Sequence, residues 1–438
     1  MTGAGRASAG RGSAGLGRTA RRAAAGFGAA AALAALILAA CSRDPVLEAF
    51  EDGTAAENAL SAMELLVADG QAAGAVATAA QGGDVLFLEA AGVQDLETRA
   101  PMRPDSIFAI ASMTKPVTAA AMMMLWEDGL WDLDDPVADY LPELADPRVL
   151  TADGGTRPAD SPITMAQLMS HSAGLAYEMA EALDDARYGG SGLVEQSASL
   201  DDLVARVAAL PLAHEPGAGF SYGFASDLQG AIIERLSGQT LPDFLQDRIF
   251  GPLGMADTGF AVPADKRGRL AAIYERTEAG LRKRPIAAPE SPPAAPSGGA
   301  GLYSTAPDYL KFARMLAGGG ALDGVRLLQP ETVALMRAPA LDEGVNGGGY
   351  IGEGSRVGYG LGVAVIREPS RRDPRAVGTF YWEGTYSTYF WIDPESDLTA
   401  VALTQIKRRP DEPQWEHPDT SPLMRAAIYS GLAAESRD

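Results

Sequence analysis

Runs with β-strand patterning gather toward the two ends of this 438-residue chain and helical runs lie between them, which restricts the fold more than any other feature. Near the N-terminal end, 73–79 and 85–90 are short apolar runs joined by Gln81-Gly82-Gly83-Asp84, a hairpin signal. Toward the other end, 360–366, 378–381, 388–392 and 399–404 read as strands. Helical spacing marks 55–68, 116–129, 165–169, 200–209, 226–236, 241–249, 307–316 and 423–432. Strands at both ends imply one sheet built from distant parts of the chain, with a mostly helical portion inserted. The expected class is α+β, an antiparallel sheet flanked by helices, with the sheet part at about 53–111 and 295–435 and the helical part at about 112–294. The glycine-dense stretch 344–362 reads as a mobile loop.

The first forty residues have a different character. Arg6, Arg11, Arg18, Arg21 and Arg22 form a basic segment without an acid, and an apolar stretch follows from 23 to 40. That pattern is a bacterial signal peptide over 1–40, and 41–52 reads as a tether. Its ending, Leu38-Ala39-Ala40-Cys41, resembles the cut site before a lipid-modified cysteine. Cys41 is the only cysteine, so no intramolecular disulfide is available and lipidation explains the leftover thiol. A plain secretory signal or an uncleaved anchor is the alternative. The expectation is an exported, cell-envelope lipoprotein held to a membrane through Cys41. Loss of residues 1–40 takes the formal charge from −21 to −26, which disfavours phosphate backbones and excludes nucleic acid as the expected partner.

Ser112-Met113-Thr114-Lys115 carries the chemistry. At the start of a helix, residues three apart share a face, so Ser112 and Lys115 stand side by side where unpaired backbone N–H groups favour negative charge. Burial disfavours the charged form of a lysine, and a neutral amine beside a serine is an activating base. No other lysine in the chain has a serine three positions earlier. Tyr222 follows the turn Glu215-Pro216-Gly217 and is the best proton-relay candidate; Trp382-Glu383-Gly384-Thr385 is a candidate wall.

These blocks are similar to the serine β-lactamase and penicillin-binding-protein superfamily, and most closely to the family VIII carboxylesterases. The resemblance covers about 65–432 and rests on Ile110 to Pro116, Leu168-Met169-Ser170-His171-Ser172-Ala173-Gly174-Leu175, Glu215-Pro216-Gly217, Tyr222 to Asp227, Gly298 to Thr305, and Tyr389 to Pro394. Lactam-processing relatives carry Tyr-x-Asn and Lys-Thr-Gly; here Phe224 replaces the asparagine and Trp382-Glu383-Gly384 replaces the third motif. The resemblance implies a β-lactamase-like fold and an esterase. It implies Ser112 as nucleophile, Lys115 and Tyr222 as proton-transfer groups, and the N–H groups of Ser112 and Thr385 as oxyanion hole. Trp382, Gly384 and Phe224 would line the substrate, and no cofactor is implied.

Asp227 is read as a support for the Lys115 charge or as an ordinary helix-start acid. Gly219-Phe220-Ser221-Tyr222-Gly223 matches the Gly-x-Ser-x-Gly elbow, with His417 downstream, but a turn sequence rather than a strand precedes Ser221. His171, His214 and His417 are the only histidines and lack metal-ligand spacing, so no metal is expected. The leading function is cleavage of small, short-acyl esters. A β-lactamase or D-Ala-D-Ala carboxypeptidase-like enzyme and a non-catalytic envelope binding protein are the alternatives. Residues 177–200 are expected to overhang the site as a lid.

Overall fold

A computed structural model describes residues 50, 53–177, 192–285, 288–341, 345–347, 351–352, 356–370, 373–407 and 420–436. Helix α1 (Ala55–Ala68) starts at Thr54, whose hydroxyl accepts from the Glu57 N–H while the Glu57 carboxylate accepts from the Thr54 N–H. Strands β1 (Gly74–Gln81) and β2 (Asp84–Gly92) form the expected hairpin, turning through Gly82 and Gly83 at φ 58° and 92°. After β3 (Phe108–Ala109), helix α2 (Thr114–Glu127) is buried on every side from Thr114 to Leu125, as its continuous apolar composition requires.

The central portion holds β4 (Arg148–Leu150), β5 (Thr156–Pro158), α3 (Met165–Met169), α4 (Leu200–Ala208), α5 (Ala225–Ser237) and α6 (Leu241–Leu245). The helix expected over 241–249 becomes a π turn from Gln246 to Phe250. A hairpin follows, β6 (Tyr274–Thr277) with β7 (Gly280–Lys283). Next come β8 (Tyr303–Ser304), α7 (Ala306–Ala317), β9 (Ala321–Leu322), β10 (Val325–Arg326), α8 (Pro330–Arg337), β11 (Asn346–Gly347) and β12 (Ile351–Gly352). The chain returns to the main sheet with β13 (Val357–Tyr359), β14 (Ala364–Ile366), β15 (Phe380–Gly384), β16 (Thr388–Asp393) and β17 (Leu398–Leu403), then β18 (Ile406–Lys407) and α9 (Ser421–Glu435).

Seven strands pair in the order β13-β14-β15-β16-β17-β1-β2, antiparallel throughout, so the N-terminal hairpin closes onto strands laid down some 300 residues later. Side chains alternate between faces along β16: Phe390 meets Tyr309 of α7, while the Tyr389 hydroxyl reaches the Thr420 carbonyl at the start of α9. Helices therefore cover both faces, and β16 and β17 are buried along their whole length.

Three local expectations change. The strand expected over 360–366 is strand only from Ala364 to Ile366 (β14); 360–363 connect it back to β13, with Gly362 at φ 91°, where a Cβ would lie 2.3 Å from the Ala119 methyl of α2. β13 and the β11–β12 pair occupy part of the stretch read as a mobile loop. Trp382 lies within a strand rather than after one.

Candidate active site

Ser112 stands on one turn of 3₁₀ helix (Ala111–Met113) that leads straight into α2. The preceding Ala111 has φ 45°, a left-handed backbone that costs free energy and sharpens the turn from β3. The backbone around it is tied down: Thr114 donates from Oγ1 to the Ala111 carbonyl at 2.7 Å, and the Tyr309 hydroxyl donates to Met113 O at 2.8 Å. Ser112 itself is half-buried.

Lys115 is 0% exposed, one turn below. Its Nζ lies 3.5 Å from Ser112 Oγ, 3.2 Å from Tyr177 Oη and 2.9 Å from the Gly299 carbonyl. It also sits 4.4 Å from the centroid of the Tyr222 ring, a cation–π distance. Among the described residues no carboxylate forms an ion pair with it. The amine is thus held by neutral oxygens and an aromatic face.

Asp227 lies one layer further in. Its Oδ1 accepts from Ser297 Oγ at 2.6 Å and from the Gly299 N–H at 3.0 Å. Burial raises its carboxyl above the usual range, against the pull of the Lys115 charge and of the Ser297 and Gly299 hydrogen bonds. Gly298 and Gly299 are needed for this approach: a Cβ on Gly298 would meet Ser226 O at 2.4 Å, and one on Gly299 would meet Asp227 Oδ2 at 2.7 Å. The loop wedged between α2 and α5 thereby aims the Gly299 carbonyl at Lys115.

Tyr177 is the site residue that sequence reasoning missed, because it fell in the segment assigned to a lid. Burial, then the Asp227 charge, pushes its phenol well above the ordinary value, so it stays protonated and can donate. The available signal was position: Tyr177 lies two residues beyond Leu175, the end of the Ser-His-Ser-Ala-Gly-Leu block. Residues 178–191, most of the expected lid, lie outside the described residues.

The remaining residues form an aromatic wall. Trp382 packs 5.5 Å from Tyr222 and 5.1 Å from Tyr359, and its Nε1 donates to Tyr222 Oη at 3.4 Å. Phe224 is buried, its ring edge-on to Tyr177 at 4.8 Å, so it touches the site through that tyrosine. His171 lies between Tyr222 and Tyr359 at 5.1 and 5.6 Å with φ 57°. Burial, helped by the Lys115 charge, pushes its imidazole down to about 3, so it is neutral at pH 7.

Gly384 closes the far side. A Cβ there would meet Ile110 O at 2.4 Å and Thr388 Oγ1 at 2.2 Å, so only glycine lets β15 come this close to the Ser112 strand. Exposed Thr385 follows at the β15–β16 turn. Ser221, the rival serine, has no strand before it; its N–H donates to His171 O at 2.8 Å, and Gly223 is required because its Cβ would strike Leu175 O at 1.8 Å. The glycines of that block serve packing. His417 and Cys41 lie outside the described residues. Among the described residues, no cluster of His, Cys, Asp or Glu has the makings of a metal site.

The model of the beta-lactamase family matches residues 13–418. The chain belongs to the beta-lactamase family. It is 37% identical over 348 residues to Protein Rv1367c of Mycobacterium tuberculosis, covering 77% of this chain and 86% of that protein. It is 32% identical over 391 residues to esterase EstB of Burkholderia gladioli, covering 84% and 94%. The solved structure of EstCE1, described as a hydrolase with promiscuous acyltransferase activity, superposes with a TM-score of 0.71 at 28% identity, covering 85% of this chain and 98% of that one. These relatives place the chain among the family VIII esterases of the serine β-lactamase-like superfamily, and it is a serine hydrolase of that fold.

Proposed function

We propose that the chain hydrolyses small, short-acyl carboxylic esters through an acyl-enzyme on Ser112. The observation that carries this reading is the 3.5 Å approach of a fully buried Lys115 Nζ, without a carboxylate partner among the described residues, to Ser112 Oγ. The Lys115–Tyr222 pair takes the Ser112 proton as Oγ adds to the ester carbonyl. The N–H groups of Ser112 and Thr385 receive the oxyanion. As the tetrahedral centre collapses, the ester C–O bond breaks and the alkoxide leaves with a proton relayed through Lys115 and Tyr222. Water, deprotonated by the same groups, then adds to the acyl carbonyl and frees the carboxylic acid and Ser112.

Two features favour esters over lactams. Phe224 offers no side-chain amide and is buried beneath Tyr177, and β15 presents Trp382 where lactam-processing relatives present a lysine. An aromatic wall with a neutral His171 behind it suits an uncharged acyl group. We further propose that the protein is exported and anchored at the cell envelope through lipidated Cys41.

The test is to assay the full chain and Ser112→Ala on p-nitrophenyl butyrate and on a chromogenic cephalosporin. Ester cleavage that falls by about three orders of magnitude or more in Ser112→Ala, with little lactam cleavage, is expected. Ester cleavage surviving in Ser112→Ala, or faster lactam cleavage than ester cleavage, would sink the reading.

A further inference from the structure

β3 pairs with β8 on one edge, and Ile110 continues that pairing by donating to Leu302 O at 3.0 Å. Along a strand the N–H and C=O of successive residues point to opposite edges. The Ala109 pair therefore faces away from β8, into buried surroundings where no strand stands to receive it.

Gln405 receives it. Its Oε1 accepts from the Ala109 N–H at 3.1 Å and its Nε2 donates to the Ala109 carbonyl at 3.0 Å, so a side-chain amide replaces a strand neighbour 296 residues away. The residue is 3% exposed, and its Nε2 also donates to its own neighbour, Thr404 O, at 2.7 Å.

The residues on either side of Gln405 hold the opposite half of the site. Thr404 Oγ1 donates to Ser387 O at 3.0 Å and lies 3.1 Å from Tyr386 O. The Ile406 N–H donates to Tyr386 O at 3.0 Å, and Ser387 Oγ donates to Ile406 O at 3.0 Å. Tyr386 and Ser387 form the turn that carries Thr385, closed by the Ser387 N–H on Gly384 O, with Ser387 at φ 57°. One tripeptide thus grips the strand three residues before Ser112 and the turn next to Thr385.

We infer that Thr404-Gln405-Ile406 is a clamp that fixes the spacing between the two N–H groups of the oxyanion hole, with Gln405 as a positioning residue. This rests on the reading of Ser112 and Thr385 as those donors. A donor displaced from the developing oxyanion weakens transition-state stabilisation and leaves ester binding unaffected, so kcat falls and KM does not.

The experiment uses the full chain and three variants, Gln405→Met, Thr404→Val and the double change. Each keeps the side-chain volume and removes the hydrogen bonds. Two readouts are combined: kcat and KM on p-nitrophenyl butyrate, and amide hydrogen exchange of the peptides spanning 105–113 and 384–388. Expected are faster exchange in the 105–113 peptide of Gln405→Met, a kcat loss of about tenfold or more with KM unchanged in each single variant, and a double variant less impaired than the product of the singles. Exchange unchanged in Gln405→Met would overturn the clamp whatever the activity. Faster exchange with kcat intact, or fully multiplicative losses, would overturn its link to the oxyanion hole. If wild-type protein cleaves no ester, the hydrolase reading fails by itself and the exchange data alone decide whether the clamp exists.

Discussion

Among the described residues, positive charge is buried around Lys115 and around Asp373, and the two places treat it in opposite ways. On the far face of the sheet, Arg356, Arg375 and Arg425 converge on Asp373, with closest N–O distances of 2.9, 2.7 and 3.7 Å. Arg375 also lies 3.9 Å from the Tyr381 ring centroid, and Arg425 reaches Glu383 at 3.8 Å. Against the upward push of burial, the Arg375 hydrogen bonds and the neighbouring guanidinium charges hold the Asp373 carboxyl well below the usual range. At Lys115, by contrast, the partners are a carbonyl, two hydroxyls and a ring, and the nearest buried acid, Asp227, spends its hydrogen bonds on Ser297 and Gly299. Arginine paired with carboxylate keeps a charge permanently in place, because neither group gives up its state near neutral pH. The first arrangement anchors β15 to α9; the second is the one that the proposed mechanism uses for proton transfer.

Exchange of the cations between these roles breaks the comparison most sharply. Lys115→Arg keeps the charge and removes the base, so ester kcat should fall by about 10²- to 10⁴-fold with the melting midpoint little changed. Comparable activity in that variant would mean that Lys115 acts only as a charge. Asp373→Asn should act on stability instead, costing about 3–5 kcal/mol in denaturant unfolding because buried guanidiniums lose their counter-charge. The depressed Asp373 carboxyl contributes stability that is present above its unfolded pKa of about 3.9 and is lost as pH falls below it, and Asp373→Asn should lack that acid-side loss.

Smaller effects sharpen the picture. Tyr177→Phe removes the hydroxyl that accepts from Lys115 Nζ at 3.2 Å; kcat should fall about tenfold with tryptophan fluorescence and thermal midpoint nearly unchanged. A shift in midpoint without a change in kcat would make Tyr177 purely structural. His171, neutral when folded, binds a proton below about pH 6.5 only after unfolding. Its contribution is present above pH 6.5 and lost as pH falls toward its folded value of about 3, at up to ~1.4 kcal/mol per pH unit. His171→Asn, which suits the left-handed backbone, should flatten the fall in unfolding free energy between pH 6.5 and 5. An unchanged slope there would place the titration elsewhere.

Much of the architecture was legible because local patterns report local structure. The Gly82-Gly83 turn between two apolar runs, the Ala- and Met-rich helix after Ser112 and the helix over 225–237 each follow from spacing and turn chemistry in a short window. The short strand pairs β4 with β5 and β6 with β7 were not legible, because three or four residues per strand carry too little alternation for a period to show. Among site residues, the Ser112–Lys115 pair was visible because both members lie within one helical turn. Tyr177 was not, because its contact to Lys115 spans 62 residues and the only local signal is its position two residues beyond Leu175.

The sequence by itself determined which chemistry is available: one serine three residues before one lysine, a tyrosine after a tight turn, glycines where backbones must approach, and a strongly acidic chain. Only the tertiary structure decided how those groups are poised. It placed Tyr177 and the Gly299 carbonyl on Lys115, gave that amine no carboxylate partner among the described residues, and gave the Ala109 backbone its partner in Gln405. The physical reason is that burial and pairing are properties of neighbours in space, and here the deciding neighbours come from strands and loops 62 to 296 residues away along the chain.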